Sequence, residues 1–294
     1  MIVLPDTDYD LVGSVVLYNT SLAEVEAAVE QFFAPSDRAP HKRHLCIIDN
    51  SAQPLPRTSF ADDRITYHFA NRNLGYGAAH NIALRASMGR SRYSLIMNTD
   101  VSYSPDVISK LESFLDSNAS VGLAAPRILY PDGTLQAVCR LLPTPLNIFL
   151  RRFFPRSRWA AKLDLDYELQ WWRHDTIANI PFLSGSFLLA RTDLLLSLGG
   201  FDERFFLYAE DVDLCRRIHQ ISATAYVPDA VITHQFRRHN RHSLRGTWHG
   251  LVSHVQYFHK WGWFFDRERR EINAQTIERL QRSATQSGLS QPVT

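Results

Sequence analysis

Three carboxylates fall within four residues, Glu210, Asp211 and Asp213, after the aromatic run Phe205-Phe206-Leu207-Tyr208 and before Arg216 and Arg217. Carboxylates this close repel one another unless a metal ion, a basic side chain or a helix N-terminus faces them. Such crowding suits a catalytic base, and Leu207, Tyr208, Leu214 and Cys215 would partly bury it. A solvated acidic helix face is the competing reading. Asn98-Thr99-Asp100 is a second oxygen-rich group. It suits a hard cation that substrate phosphates also hold, or it caps the segment that follows. Asp49 could accept from a base N–H or a ribose hydroxyl, or form an Asx turn with Asn50-Ser51. In Asn73-Leu74-Gly75-Tyr76-Gly77, with Asn81 further on, the glycines allow a ligand close to the backbone. The run matches neither the P-loop nor the Gly-x-Gly-x-x-Gly pattern, and an ordinary strand-to-helix turn would explain it too. His234 is a lone histidine, structural or a borderline metal ligand beside a carboxylate.

These residues sit where strands end. Leu11–Tyr18 is a β-branched apolar run that reads as a buried parallel strand, and Asn19-Thr20-Ser21 then offers turn and cap chemistry before a helix from Leu22. Leu45–Ile48 ends at Asp49, Arg64–Phe69 precedes the glycine turn and a helix over 78–87, and Tyr93–Met97 ends at Asn98. Ser104-Pro105-Asp106 opens a further helix, and Val121–Pro126 reads as another strand. Repeated βα units of this length predict an α/β fold with a doubly wound, mainly parallel, Rossmann-like sheet, whose ligands bind at the carboxyl ends of the strands. Between Arg140 and Asp175 the pattern breaks into bulky apolar and basic residues, expected to form a lid or a membrane-surface element. Phe182–Leu189 reads as one strand, a helix is expected from the carboxylates to about Gln220, and strands follow over 223–227 and 231–234.

The chain has 294 residues, 45% of them hydrophobic and 21% charged, enough to bury a sizeable core. Its three cysteines, Cys46, Cys139 and Cys215, lie far apart in apolar surroundings and are expected to be reduced core thiols of a cytoplasmic protein. The N-terminus does not read as a signal peptide, and no apolar run approaches the ~18 residues of a spanning helix. Net charge is +2, but 234–270 carries eight Lys/Arg against two acids, a net +6 that leaves −4 elsewhere. Such a basic quarter points to an anionic surface or phosphate-bearing substrate, with no nucleic acid expected.

Taken in order, Tyr18-Asn19, Asp49-Asn50-Ser51, Asn73–Gly77, Asn98-Thr99-Asp100, Gly199-Gly200-Phe201-Asp202-Glu203, Glu210–Arg217 and His234 form a set. It resembles the family-two inverting glycosyltransferases of GT-A fold, and within them the bacterial rhamnosyltransferase-like branch. The resemblance covers about residues 10–260. It implies a GT-A domain over 1–235 and a basic, aromatic helical extension over 236–294. It implies that Tyr18, Asn19, Asp49, Asn73, Gly75, Asn81, Asn98 and Asp100 contact a nucleotide-sugar, with Asp49 on the base. Asp100 and His234 would hold Mg²⁺ or Mn²⁺ against the donor diphosphate. Gly185, Ser186 and Glu210 would line the acceptor side, and Asp211 would be the general base, with Glu210 beside it in the catalytic pair. One departure stands out: Asn98 occupies the first position of the Asp-x-Asp motif, which removes a charge facing the diphosphate.

Displacing a nucleoside diphosphate from an anomeric carbon needs a stabilised leaving group and a base for the attacking hydroxyl. A single displacement of this kind inverts the anomeric centre. The expected donor is dTDP-L-rhamnose, with a UDP-sugar as the alternative. The expected acceptor is a saccharide or lipid-diphosphate-linked glycan of a bacterial cell-surface polysaccharide such as O-antigen, met at the inner face of the plasma membrane through peripheral contact with anionic lipid. Two rivals stay open: a non-catalytic sugar-nucleotide- or glycan-binding protein, motivated by Asn98, and a nucleotidyltransferase, which would carry a glycine-rich basic loop where Tyr18–Ser21 stands.

Overall fold

The computed structural model describes residues 2–36, 42–235 and 244–286. The chain runs β1 (Tyr9–Leu17), α1 (Leu22–Phe33), β2 (Arg43–Asp49), β3 (Ile65–Phe69), α2 (Tyr76–Ala86), β4 (Ser91–Met97), β5 (Val101–Tyr103), α3 (Asp106–Ser117) and β6 (Val121–Leu129). It continues β7 (Cys139–Arg140), α4 (Pro145–Phe153), α5 (Arg158–Tyr167), β8 (Ala178–Asn179), β9 (Phe182–Leu183), β10 (Phe187–Arg191), α6 (Thr192–Ser197), α7 (Glu210–His219), β11 (Ala223–His234), α8 (Leu244–Trp261) and α9 (Arg267–Gln286).

A large sheet runs in the order β3-β2-β1-β4-β10-β6-β11-β5, with β8 against β11. The pairs β3-β2, β2-β1, β1-β4 and β6-β11 are parallel, as the βα repeats predict. β10 runs against both of its neighbours, β4 and β6, in the middle of the sheet. β1 is buried along nearly its whole length, because helices cover both faces of a doubly wound sheet. Its neighbours β2 and β4 contribute Leu45, Ile47, Leu95, Ile96 and Met97 to the same core.

Two strand expectations are corrected. Phe182–Leu189 is not continuous: Ser184-Gly185-Ser186 separates β9 from β10. The Gly185 amide leaves the ladder for the Asp211 carboxylate, while the Ser186 carbonyl accepts from the Asn98 amide and extends the pairing of β10 with β4 by one rung. Conversely, 223–227 and 231–234 form the single strand β11, with a register shift between Val227 and Val231. Pro228 stands in that gap, and a proline lacks the N–H that a ladder needs.

The 140–175 stretch folds as the two short helices α4 and α5. α8 and α9 do not stand apart from the rest of the fold. Tyr257 and Phe258 of α8 join Leu142, Phe182, Phe205, Ala209 and Val212 in one hydrophobic cluster. The boundary expected at 235 adjoins residues 236–243, which lie outside the described residues along with Arg237, Arg238 and Arg241 of the basic run. All three cysteines are free and buried. Among the described residues no helix is long and apolar enough to cross a membrane.

Candidate active site

The strand ends bring most of the predicted residues to one edge of the sheet. β4 ends at Met97, so Asn98 and Asp100 emerge beside the end of β11, which carries His234. Asp100 Oδ1 lies 3.2 Å from His234 Nε2, and Asn98 Nδ2 lies 3.4 Å from the same nitrogen. The other ring nitrogen, Nδ1, is 3.1 Å from Gln136 Oε1. Gln136 is buried, and its amide nitrogen donates to the carbonyls of His234 (2.7 Å) and Leu129 (3.3 Å). Its oxygen is therefore the acceptor, and Nδ1 of His234 carries hydrogen toward it.

That assignment tests the expected metal. With Nδ1 turned to Gln136, Nε2 is the ring nitrogen that faces Asp100 and the one that would serve as a metal ligand. Asp100 and His234, a carboxylate oxygen and an imidazole nitrogen 3.2 Å apart, are the side chains that would hold a divalent cation here. Among the described residues no three His, Cys, Asp or Glu side chains converge. The pair thus fits an ion that takes its remaining ligands from substrate phosphate and water.

Opposite this group, α7 begins with Glu210 and Asp211. The turn before it is unusual: Tyr208 and Ala209 both have φ of 66°, in the left-handed region that side chains disfavour. Surrounding contacts hold it there. The Phe206 carbonyl accepts from the Tyr76 amide at 3.0 Å, the Phe206 ring packs on His249 (centroids 4.3 Å), and Tyr208 lies against Gly250. A Cβ on Gly75, itself at φ 87°, would stand 2.2 Å from the Phe206 oxygen, so only glycine permits this approach.

The two carboxyls differ sharply. Glu210 is buried, and one of its oxygens, Oε2, has no hydrogen-bond partner. Burial, and then the Asp211 charge, push its pKa well above the usual carboxylate range. Burial raises Asp211 too, but the amides of Gly185 (3.1 Å) and Val212 (2.9 Å) and the Arg140 guanidinium pull it back. Of the pair, Glu210 is the more strongly held in its neutral form and Asp211 the readier to ionise, the order that a base and its neutral neighbour require. The third carboxylate is structural: Asp213 is fully buried and bound by Arg217 (2.8 Å), Lys260 (2.7 Å) and the Trp261 indole (2.7 Å).

Tyr76 joins the halves. Its hydroxyl is 3.0 Å from Asn98 Oδ1 and 2.7 Å from the Gly185 carbonyl. Burial first, and then the neighbouring carboxyl groups of the site, hold its proton in place. Gly185 thus meets both Asp211 and Tyr76, and Ser186 is buried beside it. Sequence reasoning did not single out Tyr76, Gln136 or Arg140. The flanking glycines Gly75 and Gly77 were the available signal for Tyr76; nothing local marked the other two.

The remaining predicted contacts fall unevenly. Tyr18 is exposed just past the end of β1, and the Asn19 amide donates to the Ser51 hydroxyl oxygen at 2.8 Å. Asn73 accepts from the Gly75 amide (2.9 Å), and buried Asn50 donates to the Gly75 carbonyl (2.9 Å). Asp49 is wholly buried, with Oδ1 on the Ser51 amide (2.9 Å) and Oδ2 on Tyr67 (2.6 Å) and the Leu55 amide (3.4 Å). It forms the Asx turn, with its side chain wholly buried. Asn81 does not face the cleft. Its side chain is spent on the Phe201 backbone (2.8 Å each way) and Glu203 (3.0 Å), because it clamps α2 to the glycine-rich loop before α7.

Residues 56–247 match the sequence model described as glycosyltransferase like family 2. The chain belongs to that family. Among characterised family relatives it is 30% identical over 216 residues to an N-acetylglucosaminyl-diphospho-decaprenol L-rhamnosyltransferase of Mycobacterium tuberculosis, a match covering 67% of this chain and 65% of that protein. It is 35% identical to the rhamnosyltransferase WbbL of Escherichia coli K12 over 86 residues, 28% of this chain and 31% of WbbL. Two solved structures share the fold: TarS of S. aureus (TM-score 0.55, 14% identity, 97% of this chain and 75% of that one) and the mannosyltransferase PcManGT of Pyrobaculum calidifontis, in complex with GDP-Man and Mn²⁺ (TM-score 0.51, 14% identity, 100% and 79%). The family's GT-A fold is the arrangement described above.

Proposed function

We propose that this chain is a metal-dependent inverting glycosyltransferase that moves L-rhamnose from dTDP-L-rhamnose to a hydroxyl of a lipid-diphosphate-linked saccharide in bacterial cell-surface polysaccharide synthesis. One observation carries the reading: the Asp211 carboxyl at the start of α7, held by the Gly185 amide, faces the Asn98, Asp100 and His234 group across the single Tyr76 hydroxyl. The donor's nucleotide lies along Asn19, the Asp49 turn and the Asn73–Gly75 turn, with its diphosphate toward Asp100. Asp100 and His234 hold Mg²⁺ or Mn²⁺, which when bound neutralises charge on the departing diphosphate. Asp211 Oδ takes the proton of the acceptor hydroxyl as that oxygen attacks the anomeric carbon from the opposite face. Protonated Glu210 keeps a second negative charge away from the attacking oxygen. The rhamnosyltransferase relatives support the sugar, and the mycobacterial relative's name supports a lipid-diphosphate-linked acceptor.

Thermal shift across dTDP, UDP and GDP, each with and without Mn²⁺, tests the donor; greater stabilisation by dTDP with Mn²⁺ is expected, and a UDP preference would replace the donor. Asp211→Asn is expected to bind dTDP normally and to transfer sugar at least 10³-fold more slowly. Unchanged turnover in a folded variant would remove Asp211 from its role.

A further inference from the structure

α4 faces the wrong way for an ordinary surface helix. Leu146, Phe149 and Phe153 are exposed along one stripe, while its Arg151 is turned inward to Asp164 (2.8 Å) and Glu168 (2.7 Å) of the following segment. Phe149 contacts Phe153 and Phe154 (ring centroids 5.0 and 5.9 Å), and Phe149, Phe153 and Phe154 are each about half exposed. Trp159, on the first turn of α5, is 76% exposed. An apolar cluster of this kind on a soluble surface marks an interaction site. Around it Arg152, Arg156, Arg158 and Lys162 are exposed, and residues 145–162 contain five basic side chains and no acidic one.

We propose that this face seats on an anionic lipid bilayer, with the phenylalanine and tryptophan rings at headgroup depth and the arginines against lipid phosphates. A second copy of the chain fits less well, since a two-fold interface would set this basic surface against itself. The placement has a use. α4 starts five residues after Arg140, whose strand β7 pairs with β9, and β9 leads directly into Gly185 and the Asp211 side of the cleft. The bilayer contact therefore borders the acceptor side and not the nucleotide side; only its use for a lipid-borne acceptor rests on the proposed function.

Co-sedimentation of the full chain with sucrose-loaded vesicles tests this without donor or acceptor. Binding is expected to vesicles containing phosphatidylglycerol and not to phosphatidylcholine alone, with release as salt rises. Arg156→Ala with Arg158→Ala should weaken binding on the order of 30-fold, and Phe149→Asp with Phe153→Asp should abolish it. Both pairs are exposed, so the melting temperature should not change. The proposal falls if the parent ignores anionic vesicles, if the variants bind like the parent, or if the Phe variants merely convert a dimer to a monomer. Because the readout is lipid binding, a failed sugar-transfer assay leaves it standing, and its failure leaves the transfer reading intact.

Discussion

The Gly185 amide donates to Asp211 Oδ2 at 3.1 Å, so the backbone of one loop aims the carboxylate of a helix 26 residues further along the chain. A Cβ at Gly185 would come 3.2 Å from Asp211 Cβ and 3.6 Å from the Tyr76 ring. Gly185→Ala should therefore displace the base by a few tenths of an ångström without unfolding the chain. Steady-state kinetics should show kcat reduced roughly 10- to 100-fold, with donor KM and melting temperature close to the parent's.

Tyr76→Phe removes the hydroxyl shared by Asn98 and Gly185. The expected cost is about 1–2 kcal/mol of stability in urea unfolding. A larger fall in kcat than that loss of folding accounts for would show that the hydroxyl sets the spacing between the two halves of the site.

Gln136→Leu leaves His234 without the acceptor that fixes its ring. Mn²⁺ affinity in the presence of dTDP, read by calorimetry, should weaken about 10- to 100-fold. Gln136→Glu retains an acceptor at that position and should bind Mn²⁺ more tightly than the Leu variant.

Burial raises Asp211, so the acid limb of the rate profile should fall above the ordinary carboxylate range near ~3.9, with activity lost as pH drops. Glu210 affects stability in the same region. Its folded pKa is raised, so its contribution is complete below the unfolded value and is lost as pH rises toward the folded one. Parent stability should decline with pH across that window by up to about 1.4 kcal/mol per pH unit, and Glu210→Gln should flatten the decline.

Arg216 is buried on α7 and forms a bidentate pair with buried Asp266 (2.7 and 2.8 Å), with Glu268 at 2.7 Å. Arg216→Ala strands the Asp266 charge and should cost about 3–5 kcal/mol in chemical denaturation. Arg216→Lys should recover little, because one ammonium cannot reproduce the fork.

The sequence conveyed the fold's frame because its parallel strands are continuous apolar runs with polar residues at their ends, as at Val15–Asn19 and Ile47–Ser51. It conveyed Asp100, His234 and Asp211 because each sits at such an end or in a charge cluster that demands an explanation. It could not reveal that β10 runs backwards, since a short apolar run reads the same in either direction. Nor could it reveal Gln136, whose value lies wholly in meeting a histidine 98 residues away. Asn81 shows the opposite failure: a polar residue beside a glycine turn looks like a ligand contact until the backbone of a distant loop claims it.

The reversed direction of β10 divides the molecule's capacity for change. In a fully parallel sheet only segments that follow strands reach the binding edge. Here the segment that precedes a strand reaches it as well, so the Ser184–Ser186 loop arrives beside Asn98 from the far side. The exposed sides of α4 and α5, with their aromatic surface, can be rewritten while β1, β2 and β4 keep their register and while Gln136 and Arg140 keep their places at the site. Change on that surface reaches the Asp211 side of the cleft through the loop before β10 and leaves untouched the strand ends that carry Asp49, Asn98 and Asp100.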